Sequence, residues 1–203
     1  MVLTRLNPAL VAVHFLLSSA ILAAAVVLYV RAGEGDGPAR GLVRMDLRVL
    51  TALLVGVTAL MLAAGTVVTG SGPLAGTTID SHGHRTTVPR FHLALENVTQ
   101  LHADIGWFIG ALAVAIVIGL HFSAAPRQAV RFGWLVLVGL GAQGVIGYTQ
   151  YFNHLPAGLV WVHVALSVLI WIYVLQLYLS TTVGLGAAPA EPVSALSEAV
   201  TAP

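Results

Sequence analysis

The 203-residue sequence is 58% hydrophobic and only 8% charged, has a formal net charge of +1 and contains no cysteine. An ordinary soluble domain carries roughly 25% charged residues, so the chain reads as an integral membrane protein, and its near-neutral charge without a basic cluster gives no case for nucleic acid as a partner. The missing thiols exclude disulfides, thiolate metal centres, iron–sulfur clusters and covalent haem attachment within this chain.

Five apolar segments exceed the length of about 20 residues needed to cross a bilayer. They run near 8–31, 47–69, 95–122, 130–151 and 156–180. Backbone in lipid must satisfy its own hydrogen bonds, so all five are predicted helices. The first is too long for a cleavable signal peptide and follows a single basic residue, Arg5. It contains "PALVAVHFLLS", with His14 as its one ring nitrogen pair. A polar, glycine-rich turn leads to the second segment. A long connection, "GSGPLAGTTIDSHGHRTTVPRFHLAL", then holds His82, His84 and His92. The third segment opens with Glu96, carries His102, Asp104 and Gly106, and ends at His121. A short "SAAPRQAVR" precedes the fourth, where Gln143 sits among the glycines of "GLGAQGVIG". "NHLPAG", with His154, leads into the fifth, which contains "PAGLVWVHVALS" and His163. From Thr181 the chain is rich in Ala, Pro and Ser and reads as a disordered tail. The expected class is an all-α integral membrane protein with five transmembrane helices, the last four forming an antiparallel four-helix bundle. Residues 1–31 hold the first helix, 32–46 a connection, 47–180 the bundle and 181–203 the tail.

All nine basic residues are arginines. Six of them, Arg31, Arg40, Arg44, Arg48, Arg127 and Arg131, flank the first-to-second and third-to-fourth connections; Arg5, Arg85 and Arg90 lie on the other side. Positive charge favours the cytoplasmic side. The expectation is a multi-pass cell-membrane protein with its N-terminus outside and its C-terminus cytoplasmic.

His14 and His163 lie in the same sequence context. From Leu10 to Ser18 and from Leu159 to Ser167, six of nine positions are identical, and a Pro-Ala pair leads into both. His102 lies at a similar distance into the third helix. At 1.5 Å per residue, the three imidazoles sit roughly 10 Å below the outer helix ends. One intramembrane histidine fits packing against a carbonyl as well as it fits ligation. Two on facing helices at one depth point to axial ligation of a haem. Gly106 and Ser167, one turn further along, leave room for a flat ring, and Arg85 and Arg90 stand where propionates would reach. Zinc or copper lacks a carboxylate or thiol at that depth.

The other polar residues carry two readings each. His121 reads as interfacial. His82, His84, His92 and His154 read as solvated loop residues or as metal or substrate contacts. Asp104 and Gln143 share a depth and fit a structural hydrogen bond, with proton handling as the other reading. Glu96 suits the helix dipole or an active site. The glycines of the fourth segment read as helix-packing residues. The repeat makes the first helix look like the last helix of an earlier four-helix unit.

The stretches "LTRLNPALVAVHFLLS", "GTVVTGSGPLAG", "LENVTQLHAD" and "GYTQYFNHLPAGLVWVHVALS" resemble the haem A synthase family over about residues 3–180. The resemblance implies eight transmembrane helices in two similar halves, each with a histidine pair. It implies that His102 and His163 ligate a haem b cofactor and that His14 is one ligand of the substrate, haem O. The implied activity is oxidation of a methyl group of haem O to the formyl group of haem A for cytochrome oxidase assembly. Against that pattern the first three helices are missing, and "GPLAGT", with Leu74 and Thr77, departs from the family's loop. Membrane lipid, haem O synthase, cytochrome oxidase assembly factors and a missing N-terminal half are the partners the resemblance implies. The residues also fit a b-type cytochrome electron-transfer subunit or a non-catalytic haem-holding assembly protein.

Overall fold

The computed structural model describes residues 7–34, 38–73, 77–79, 82 and 84–184. The five apolar segments are helices: α1 (Pro8–Arg31), α2 (Met45–Ser71), α3 (Leu95–Phe122), α4 (Arg127–Phe152) and α5 (Ala157–Leu179). Each is long and apolar enough to cross a membrane. Their starts follow local chemistry. The Asn7 side chain accepts from the Ala9 N–H at 2.9 Å, with Pro8 in the first turn of α1. Pro126 and Pro156 stand at the N-caps of α4 and α5, where a missing N–H and a fixed φ are no handicap.

Helices α2 to α5 form an antiparallel ring in which each packs on its two neighbours, and α1 lies outside it against α2 and α5. The connection between α4 and α5 is very tight. His154 and Leu155 both adopt left-handed backbone, at φ of 59° and 60°, which costs a non-glycine residue roughly 1–2 kcal/mol.

Packing is uneven along the bundle. The buried residues of α2 run mainly from Leu47 to Leu62, those of α3 from Ile109 to Leu120, those of α4 from Ala129 to Val136 and those of α5 from Ile170 to Leu179. Except for Thr58 and Leu62 of α2, these lie toward the end that carries Arg31, Arg40, Arg44, Arg48, Arg127 and Arg131, here the arginine end. The opposite, histidine end of the ring is more open.

The connections depart from the all-helical expectation by two short ladders. Strand β1 (Ala39–Gly41) pairs antiparallel with β4 (Thr182–Gly184) at the arginine end. Strand β2 (Thr77–Ile79) pairs antiparallel with β3 (Arg85–Thr87) at the histidine end. Backbone N–H and C=O groups outside the helices need partners of their own, and these ladders supply them. The pairing of β4 corrects the expectation that disorder begins at Thr181: Thr181 is fully buried and its carbonyl accepts from the Leu42 N–H at 2.8 Å. Residues 185–203 lie outside the described residues.

Candidate functional site

His102 on α3 and His163 on α5 meet across the middle of the ring. Their ring centres are 6.3 Å apart and their planes are inclined by 51°. With a metal–imidazole bond of about 2.0–2.1 Å, and about 1.1 Å from ring nitrogen to ring centre, two imidazoles on opposite sides of one iron have centres roughly 6.3 Å apart. Nδ1 of both rings is buried with no hydrogen-bond partner. A buried polar atom without a partner is unfavourable by roughly 1–3 kcal/mol, and here two of them lie in one place.

Each ring rests on a glycine of the neighbouring helix. A Cβ at Gly65 of α2 would come within 3.3 Å of His102 Cε1 and 3.9 Å of its Nδ1. A Cβ at Gly147 of α4 would come within 3.2 Å of His163 Cε1 and 3.7 Å of its Nδ1. The tight α4–α5 connection brings Gly147 and His163 to one level. Counted from the helix ends, Gly65, His102, Gly147 and His163 all lie roughly 8–10 Å deep. Met61, Ile105, Leu140 and Leu166, on the four helices of the ring, are apolar side chains at the top of the core. The spacing of the two rings and the glycine hollows behind them fit a haem held between the two histidines.

Gln143 of α4 fixes the α5 backbone at this level: its Nε2 donates to the His163 carbonyl at 3.0 Å. This corrects the expected Asp104–Gln143 hydrogen bond. Asp104 Oδ1 instead accepts from Gln100 Nε2 at 2.8 Å, one turn back on the same helix. Two residues from His102 is about 200° around the helix, which turns Asp104 away from the ring centre, and it is exposed. Glu96 is also exposed, in the first turn of α3.

Other expected roles change as well. Gly106 faces Met61, whose Cε would lie 3.4 Å from an added Cβ, and Ser167 Oγ donates to the Val164 carbonyl at 2.7 Å. Clearance for the two imidazole rings themselves comes from Gly65 and Gly147, which sequence reasoning passed over. The Arg90 guanidinium donates to the carbonyls of Gly72 and Pro73, to the latter at 3.1 Å. It thus closes the C-terminus of α2, where a cation suits the helix dipole. The side chain of Arg85, the residue Leu74 and the side chain of Thr77 lie outside what is described.

His14 is not brought to the pair. It lies at the same depth, on the exposed outer face of α1. His121 is exposed at the arginine end, its ring centre 5.5 Å from that of Phe122. His82 and His84 are exposed in the β2–β3 connection with ring centres 6.5 Å apart; His92 and His154 are exposed in connections. Among comparisons with known proteins, the family model COX15-CtaA, described as cytochrome oxidase assembly protein, matches residues 1–175. No curated protein and no solved structure matches the chain.

Proposed function

The chain belongs to the COX15-CtaA family of cytochrome oxidase assembly proteins, and from that membership we propose that it is a haem A synthase holding a b-type haem between His102 and His163. The observation that carries this reading is the pair of half-buried imidazoles with ring centres 6.3 Å apart, each facing a glycine of the neighbouring helix. The proposed reaction is oxidation of a methyl group of haem O to the formyl group of haem A.

In this reading the bound haem supplies one-electron chemistry at its iron. The chain's own residues hold and orient it. His102 and His163 would hold its iron, Gln143 would fix the backbone that carries His163, and the apolar side chains of Met61, Ile105, Leu140 and Leu166 would shield the site from the arginine side. His14 is proposed as a ligand of haem O on the outer face of α1, at the depth of the pair. No other described histidine lies at that depth, so the second substrate ligand would come from beyond the five helices, and a separate N-terminal half is the proposed source. The isolation of His14 also supports a second reading, a b-type cytochrome or haem-holding assembly subunit built on the same pair. In either reading the histidine end faces outward and the arginine end the cytoplasm, with membrane lipid around the bundle. Haem O synthase and cytochrome oxidase assembly factors are the proposed partners in delivery and use of the haem.

Two measurements test this. Purified in detergent, the chain should carry one low-spin haem per molecule; His102→Ala or His163→Ala should remove most of it, and His121→Ala should not. Equal haem in wild type and the double substitution would overturn the ligand assignment. Expressed with an N-terminal half in cells lacking their own haem A synthase, the chain should yield extractable haem A, and His14→Ala should abolish it. Haem b alone in both cases favours the cytochrome reading.

A further inference from the structure

The ring of helices repeats one small device twice. In the α2–α3 hairpin, the helix running toward the histidine end carries Gly65 and the helix running back carries His102. In the α4–α5 hairpin the same places are taken by Gly147 and His163. Other described glycines are close to something different: Gly119 to Leu47, Gly133 to Val117 and Leu120, Gly139 to Ile170, Gly70 to Phe91 and Pro8. Those glycines let apolar side chains pack. Only at Gly65 and Gly147, among the described glycines, is the nearest neighbour an imidazole.

We infer that Gly65 and Gly147 are positioning residues for the two axial imidazoles, each setting the rotation of one ring about its metal bond. The inference rests on the proposed haem ligation. The physical ground is steric. A ligating imidazole has its nitrogen fixed at the metal and its Cβ fixed on the helix, so its remaining freedom is rotation of the ring plane. The Nδ1–Cε1 edge is the part that sweeps space in that rotation. Both rings present this edge to the space that a side chain at the facing glycine would fill, and neither Nδ1 has a hydrogen bond to hold the ring instead. Outer-shell partners ordinarily orient metal-bound histidines through that nitrogen. Here the missing side chain on the facing helix leaves each ring the space for its orientation. A methyl group at either glycine would reach 3.2–3.3 Å from Cε1, which is too close for the ring to stay where it is, and would change the 51° between the planes.

The readout is the electron paramagnetic resonance spectrum of the ferric haem, because the angle between axial imidazole planes sets the anisotropy of its g-tensor. Gly65→Ala and Gly147→Ala would be compared with Gly56→Ala and Gly141→Ala on the same two helices, where an added Cβ meets nothing within 4 Å. Helix interiors tolerate all four changes, since Ala is the better helix former. The expected result is a shifted largest g-value in the first two proteins at full haem content, or loss of haem with retained helix content, and an unchanged spectrum in the second two. Full haem with an unshifted spectrum in Gly65→Ala and Gly147→Ala would overturn the inference and leave the haem assignment standing. An equal shift in all four would also overturn it, as a general packing effect. Absence of haem from the wild-type protein would overturn the haem assignment and this inference together.

Discussion

Gln143 shows how one side chain can serve a site without touching a ligand. Its amide donates to the carbonyl of His163, so α4 holds α5 at the residue that carries the ring. Interhelical hydrogen bonds in membrane proteins contribute about 0.6 kcal/mol on average and up to about 1.7. Gln143→Leu should therefore lower the temperature at which the haem absorbance is lost, by an amount matching roughly 1 kcal/mol, with the resting spectrum unchanged. Asp104→Asn should leave that temperature where it is, because the only described partner of Asp104 is Gln100 on its own helix. A larger loss with Asp104→Asn than with Gln143→Leu would reverse these roles. At this scale the sequence exposed the histidines and concealed what surrounds them. Matched depth is a matter of counting along helices, so His102 and His163 were legible. The partner of Gln143 and the glycine beneath each ring depend on how α4 turns against α5 and α2 against α3, and no spacing within one helix records that rotation.

The five helices were legible almost to their ends, because an apolar run and a bilayer set length together. The ladders were not. Three-residue strands such as Ala39–Gly41 have no period to read, and the partner of that strand, Thr182–Gly184, lies far along the chain. The attachment of α1 was equally hidden. Of its 24 residues only Pro8 and Val26 are buried, and it is held at three levels. Pro8 lies against Gly70, Trp171 Nε1 donates to the Ser19 carbonyl at 3.0 Å, and Val26 packs with Leu62, Leu175 and Leu179. Gly70 is the tightest of these. A Cβ there would come within 2.5 Å of the Phe91 ring and 3.2 Å of Pro8. Phe91 is itself tied down, its N–H donating to the Gly70 carbonyl at 3.0 Å. Gly70→Ala should destabilise the protein by about 1–3 kcal/mol, the usual range for overpacking, seen as a lower thermal midpoint in detergent. A midpoint equal to wild type would mean that Phe91 moves aside freely.

For the whole molecule, the arginines and the packing give one polarity. Six of nine arginines stand at one end, and the dense half of the bundle lies at that end too. The absence of cysteine makes the orientation easy to test. Asn153→Cys, in the α4–α5 connection, should react with a membrane-impermeant maleimide in intact cells. Gln128→Cys, at the other end of α4, should react only after permeabilisation. The opposite pattern would invert the molecule. The ladder of β1 with β4 adds something in time that the helices do not. Arg40 and Val183 are partners in it, and the chain between them is synthesised at about 5–20 residues per second. The first half of that ladder therefore waits roughly seven to thirty seconds for the second, through the insertion of four helices. During that interval the edge of β1 has no strand beside it. The ladder can close only after α5 has emerged, so its formation marks the moment when the ring of helices is complete.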